Sequence, residues 1–341
     1  MGTSLIKFEK ESVIPYGLSP VEELPMLQRT EECGRLAWKS EYRGPDATLP
    51  FVQGLINKRH FSVLEHGNIC FSVEGFPALD HFIIALSQGG RSYYHPIYIR
   101  GSWMVISGNL RAWIETLWYL RENFPHFDRL LRPYFCEHYP NIFGQYSGDY
   151  GGDLSAFEIL YPASQLAIQQ SCRDSDLPVF TFRIVTNRGI SHELVRHRTL
   201  SFTQESTRYV RYDGGKMTFI LPAVFQPFWN QSTGLLDTTT MNRRQLGTLD
   251  YYDTCARQYD LDLLDGIPKG DARDGLQHHL KTEIFISGRW FGWRNFIWLR
   301  NSKAAHWRAY AIAEQIHEYF LSIGLDAYKG DEYERYLRQA I

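Results

Sequence analysis

The chain has 341 residues, 44% hydrophobic and 22% charged, with a formal net charge of −2, which is the balance of a soluble globular protein long enough for one large domain or two ordinary ones. A chain so close to neutral is poorly suited to a polynucleotide or a membrane surface as its main partner. The opening stretch MGTSLIKFEKESVIP has no apolar signal core and no run reaches transmembrane length; a bare Met-Gly start is little reason for lipidation, and the scattered Cys33, Cys70, Cys136, Cys172 and Cys255, with no CxxC pair, predict a reduced, cytoplasmic protein without disulfides or structural zinc.

In chain order, residues 20–60 read as helix carrying Leu24, Leu27 and Leu36, broken at Gly44-Pro45 and resuming to Lys58. Residues 68–74, NICFSVE, alternate enough for a strand. Helix is expected over 78–95, strand over 102–107 and an amphipathic helix over 109–122. Proline and glycine cluster between 125 and 162, including GQYSGDYGG at 144–152. That region reads as loop, and without a P-loop lysine it has no phosphate role.

Residues 179–185 alternate cleanly, Phe180, Phe182 and Ile184 on one face and Thr181 and Arg183 on the other. A turn at Asn187-Arg188-Gly189 leads into a helix through SHELVRH, with Ser191 as the expected N-cap. A short strand follows at 217–222, then polar loop over 225–240 and helix over 242–264, stopped by Gly266-Ile267-Pro268. Residues 280–287 read as strand and 290–300 as helix. The last long helix is expected from Ser302, with Ile312, Ile316, Tyr319, Phe320 and Ile323 on its apolar face. No linker divides the chain.

The densest chemistry lies in Arg196 to Tyr209, RHRTLSFTQESTRY. Six arginines stand between Arg183 and Arg211 against two acids, Glu193 and Glu205. Such charge is not buried without partners, and guanidinium forks match phosphates and carboxylates. This predicts a pocket for small anions; the competing structural explanation is a salt-bridged subunit interface. SHELVRH is not a zinc-protease helix, because five residues turn it about 500° and put His192 and His197 on different faces. No Gly-rich dinucleotide fingerprint follows a strand, and no nucleophilic triad has diagnostic spacing.

Arg196-His197-Arg198, seven residues, Ser206 and then Arg208-Tyr209 resemble the signature of the flavin-dependent thymidylate synthases. HFSVLEH at 60–66, IPKGDAR at 267–273 and TEIFISGRWFGWRNFIWLR at 282–300 resemble further segments of that family in the same order. The resemblance covers about 20–75 and 179–325. It implies an α+β fold, a mainly antiparallel sheet with packed helices, in a single catalytic domain over 1–341 with a largely helical insertion at about 76–178.

The resemblance also implies reductive methylation of dUMP to dTMP. Methylenetetrahydrofolate would supply the carbon, FAD would carry hydride and NADPH would reduce the flavin, in a homotetramer with shared sites and no metal. Ser62, Glu65, Arg196, His197, Arg198, Gln204 and Asn295 would contact flavin. Glu193, Leu194, Val195, Arg196, Gln204, Glu205, Ser206, Thr207, Arg208, Arg273 and Arg300 would surround the nucleotide. Arg300 would act catalytically by stabilising charge on the uracil, and Ser206 would bind rather than attack. The alternatives are a related flavoenzyme modifying another pyrimidine nucleotide, or a non-enzymatic nucleotide-binding module.

The chain departs from the family where an Asn-x-Arg flavin contact would follow the C-terminal strand, for Arg289, Trp290 and Phe291 stand after Gly288. ISGNLRAW at 106–113 parallels ISGRWFGW at 286–293, so Asn109 and Arg111 are candidates to replace that contact. Chance likeness between two aromatic strand-helix units is the competing explanation.

Overall fold

A computed structural model describes residues 6–75, 79–89, 97–100, 103–146, 157–159 and 176–329. The far end of the expected 78–95 helix, residues 147–152 of the Gly-rich stretch, Cys172 and the Met-Gly start lie outside these residues.

The expected strands and helices are present; eight strands form two four-stranded sheets, and the first and the ninth pair in parallel as a two-stranded one. In chain order the strands are β1 (Lys7–Glu9), β2 (Ser12–Leu18), β3 (Asn68–Glu74), β4 (Ile97–Arg100), β5 (Trp103–Asn109), β6 (Phe157–Ile159), β7 (Val179–Asn187), β8 (Ser201–Gln204), β9 (Thr218–Ile220) and β10 (Lys281–Arg289). The helices are α1 (Glu23–Trp38), α2 (Thr48–Asn57), α3 (Phe61–Leu64), α4 (Leu79–Gly89), α5 (Leu110–Asn123), α6 (Pro125–His138), α7 (Pro140–Phe143), α8 (Arg188–Leu194), α9 (Arg243–Leu264), α10 (Lys269–Ala272), α11 (Trp290–Arg300) and α12 (Trp307–Ser322). One sheet has the order β2-β7-β10-β8, the other β4-β5-β3-β6, and all of their pairings are antiparallel. The insertion therefore holds sheet as well as helix: β4, β5 and β6 build on β3.

Three local expectations are corrected. Residues 125–143 are helical rather than loop, because Pro125 and Pro140 occupy first-turn positions where no N–H is needed. The cap of α8 is Asn187, whose side chain accepts from Ile190 N at 2.8 Å; Ser191 lies inside the helix, which ends at Leu194. The last helix begins at Trp307, capped by the His306 side chain accepting from Arg308 N, not at Ser302.

Each sheet packs its aromatic face on helices. Phe71, Trp113, Tyr134 and Phe135 are buried in one core, and Phe182, Trp293 and Phe320 in the other. Full burial of such a side chain contributes about 1.5–3 kcal/mol. His66 ties the sheets together. Its Nδ1 shares a hydrogen with Ser287 Oγ at 2.7 Å and its Nε2 with Thr203 Oγ1 at 2.9 Å. Burial, and then Arg29, pull its pKa down to about 3, so it is a neutral strut. Arg289 adds a second tie, donating to Ser107 O at 3.1 Å.

Two glycines let the arginine-rich segment lie close on α11. A Cβ at Gly288 would meet Leu200 Cδ2 at 2.2 Å, and one at Gly292 would meet Thr199 O at 3.2 Å.

Candidate functional site

The site is built where α8, the 196–209 segment and the end of α11 meet. Asn187 starts α8 directly off β7, and the helix ends after two turns, which delivers Glu193, Val195 and Arg196 to the surface. Arg300, in the last turn of α11, reaches this end. Its Nε donates to His197 Nε2 at 2.9 Å, its Nη1 to the Glu193 carboxylate at 2.7 Å and its Nη2 to Glu193 O at 2.8 Å. All three contacts use the planar guanidinium fork, a geometry that an ammonium cannot copy. His197 is buried and packs on Phe296, with ring centroids 4.7 Å apart. Burial, then the Arg300 cation, lower its pKa to about 4. The ring is thus neutral at pH 7 and free to accept from Arg300.

Arg196, Arg198 and Arg208 are exposed, and none has an ion-pair partner among the described residues. Arg35, Arg132, Arg183 and Arg308 are by contrast all paired with carboxylates. The three open guanidiniums therefore stand available to an external anion.

The 204–208 segment is divided between scaffold and open groups. Gln204 Nε2 donates to Ser191 Oγ at 2.7 Å and to Thr282 Oγ1 at 3.0 Å, fastening β8 to α8 and β10. Glu205 is buried; it accepts from Tyr212 OH at 2.5 Å and lies 3.2 Å from Lys39 Nζ. Its N–H and that of Ser206 go to Glu283 O and Ala37 O. Glu205 thus shapes the segment from inside, while Arg208 is exposed and Thr207 lines a cavity. Ser206 Oγ accepts from Arg208 N at 3.3 Å, a turn contact rather than activation by a base.

Thr207 and Arg273 come together across 66 residues of chain, Nη1 to Oγ1 at 3.5 Å. They line a cavity of about 280 Å³ with Arg188, His192, Asp274, Gln277 and His278. Burial first, and then the neighbouring Arg188, lower the pKa of His192. A larger cavity of about 860 Å³ lies against α1, β7 and β10, but its Arg35, Arg183 and Lys39 face carboxylates of the chain itself. The smaller cavity sets one carboxylate, Asp274, against Arg188 and Arg273, where the larger is lined by Glu32, Glu41 and Glu283, so it is the better candidate for an anion pocket.

Glu65, between α3 and β3, is raised in pKa by burial, offset by hydrogen bonds from Ser201 and Arg111. Arg111 donates to it at 2.8 Å and to Glu115 at 2.9 Å. Asn109 caps α5 by accepting from Ala112 N at 2.8 Å. The candidate replacement contact thus stands beside Glu65 and the arginine-rich segment. Ser62 is exposed, Leu194 is buried in the core, and Asn295 is half-buried on α11. Lys39, Arg188, Tyr212 and Thr282 were not expected at the site. They act on Glu205 and Gln204 from distant or unmarked positions, and no local motif signals them.

Residues 175–323 match the family model described as "Thymidylate synthase complementing protein". The chain is 31% identical over 138 residues to a flavin-dependent thymidylate synthase of Geobacter sulfurreducens, covering 40% of this chain and 54% of that one. For enzymes of the same name the identity is 28% over 138 residues in Thermococcus onnurineus, covering 40% of this chain and 51% of that one, and 30% over 141 residues in Saccharolobus solfataricus, covering 41% and 48%. The chain spans about half the length of the curated relatives it matches. A solved UMP/dUMP methylase, PolB from Streptomyces cacaoi bound with 5-Br dUMP, is 19% identical, covering 49% of this chain and 78% of that one with a TM-score of 0.37.

Proposed function

We propose, from the match of residues 175–323 to the thymidylate synthase complementing protein family, that this chain reductively methylates dUMP to dTMP. Methylenetetrahydrofolate is the carbon donor, FAD the hydride carrier and NADPH the reductant. The observation that carries this reading is the set of open guanidiniums at Arg196, Arg198 and Arg208 beside an Arg300 fixed by Glu193 and His197.

The residues present suit a flavin dinucleotide. The exposed Arg196 and Arg198 supply charge for a diphosphate, and the Ser62 hydroxyl and the Glu65–Arg111 pair supply polar partners near them. When bound, FAD supplies the redox chemistry that no side chain of the chain can. The protein's own part is to bind and to polarise. Thr207 and Arg273 hold the nucleotide phosphate in the 280 Å³ cavity, with Arg208 and Ser206 closing on its sugar side. Glu193 and Val195 border the base. Arg300, oriented by neutral His197, presents a fixed cation where negative charge develops on the uracil ring, which makes C5 nucleophilic without an enzyme adduct.

A homotetramer with shared sites reconciles the two explanations of the arginine cluster, as interface and as pocket. The free thiols Cys33, Cys70, Cys136 and Cys255 support a reducing, cytoplasmic setting. Oxidation of the reduced flavin by dUMP together with methylenetetrahydrofolate tests the reading, with other pyrimidine nucleotides in parallel. The expected result is turnover with dUMP. A preference for another nucleotide would indicate the related flavoenzyme, and a colourless protein without flavin would indicate a binding module.

A further inference from the structure

The likeness of ISGNLRAW to ISGRWFGW continues through both sheets. Read from opposite ends, the orders β6-β3-β5-β4 and β2-β7-β10-β8 correspond strand for strand. A constant shift carries the pair Phe71↔Ile106 onto Phe182↔Ile286, and Asn68↔Asn109 onto Val179↔Arg289. Asn109 and Arg289 then cap α5 and α11 with φ/ψ of −73°/162° and −77°/165°.

The side chains follow the same rule. Trp113 Nε1 donates to Ile69 O at 3.2 Å, and its counterpart Trp293 Nε1 donates to Phe180 O at 3.2 Å. Phe71 packs on Trp113, Tyr134 and Phe135, as Phe182 does on Trp293, Tyr319 and Phe320. Arg111 donates to Glu65 at 2.8 Å; at the equivalent corner Phe291 N donates to Asp176 at 2.8 Å. Chance likeness of two strand-helix units does not reproduce strand order, register, indole bonds and a three-ring cluster together.

We infer that residues 65–135 and 176–320 are two diverged copies of one unit, and that of the two equivalent ligand sites such a pair creates, only one is kept. The strand that precedes each copy in the chain pairs with the other copy: β2, ahead of the first, with β7, and β6, ahead of the second, with β3. The copies are therefore interlaced, so the first cannot be lost without exposing an edge of the second. In the first copy Leu120, fully buried, stands at the place of Arg300. The first copy thus lacks the guanidinium that the proposed function sets against the uracil. The second has lost the other part, since Phe291 stands where Arg111 stands. Glu65, paired with Arg111, is hydrogen-bonded to Ser201 of the second copy, so the kept site takes its arginine-rich segment from one copy and its Glu65–Arg111 corner from the other.

The ligand identities rest on the function proposed above. Titration calorimetry on the full chain counts FAD and dUMP separately. One of each per chain is expected, whereas two of either would overturn the inference while upholding the proposed chemistry. Binding of neither would remove the proposed function and with it this assignment. Arg111→Phe, which copies the silenced corner, and the milder Arg111→Gln are expected to weaken FAD binding about tenfold or more with dUMP affinity unchanged. Phe291→Ala is expected to change neither affinity. Unaltered FAD affinity in both Arg111 variants, or an equal loss in Phe291→Ala, would overturn the division between copies.

Discussion

Arg300 and His197, 103 residues apart in sequence, meet through a 2.9 Å hydrogen bond in which the guanidinium donates and a neutral imidazole accepts. The bond sets the protonation state of the histidine and the direction of the arginine at once. A protonated His197 has no lone pair at Nε2 to offer, and it would face a like charge.

Replacing Arg300 by Ala is expected to keep the fold and flavin binding while lowering turnover by about 10²–10³. Arg300→Lys retains charge but not the fork shared by Glu193 and His197, so it is expected to recover only a small part. Steady-state kinetics beside thermal unfolding separate the two effects. Activity near wild type in Arg300→Ala would remove it from the catalytic role.

The phosphate assignment predicts that Arg273→Ala weakens dUMP binding by about tenfold to a hundredfold but leaves the weaker binding of deoxyuridine unchanged. Calorimetry with both ligands decides it, and equal losses for nucleotide and nucleoside would place Arg273 elsewhere.

His66 and His197 give acid sensitivity a definite sign. Their folded pKa values, about 3 and about 4, lie below the ordinary 6.5. The unfolded chain therefore binds more protons below pH 6.5, and their stabilising contribution, complete above 6.5, is lost as pH falls toward those values. Asp176 acts oppositely: burial raises it to about 6, so its contribution, present at low pH, is lost as pH rises through that value. Comparing wild type with His66→Gln isolates one group. Between pH 6.5 and 4.5 the wild type is expected to lose stability relative to the variant by about 1.4 kcal/mol per pH unit. Parallel urea-unfolding curves across that window would show that His66 is not a neutral strut.

Gly288 permits the contact with Leu200. Gly288→Ala is expected to cost about 1–3 kcal/mol through overpacking, and Leu200→Ala a comparable amount through a cavity. The double variant should lose clearly less than both single losses combined, since each change relieves the other. Strict additivity in a double-mutant cycle would mean that the segment does not rest on this glycine.

Much of this was legible in the chain. The alternation of 179–185 marked β7, and Arg196–Arg208 with Arg273 and Arg300 marked the cations that the fold brings to one region. Periodicity misled where proline was read as a breaker: Pro125 and Pro140 start helices. β2 and β8 escaped because their pairing with β7 and β10 is a long-range fact. Lys39 and Tyr212 could not be read as partners of Glu205, since Lys39 comes from the end of α1. The repeat showed itself in eight residues, 106–113, while the rest of it survives as register and ring packing rather than as identity.

The central claim is tested most directly by tritium release from dUMP labelled at C5, with methylenetetrahydrofolate, NADPH and FAD present. The account predicts release that keeps pace with dTMP formation and requires the flavin. No release from folded, FAD-bound protein would contradict it.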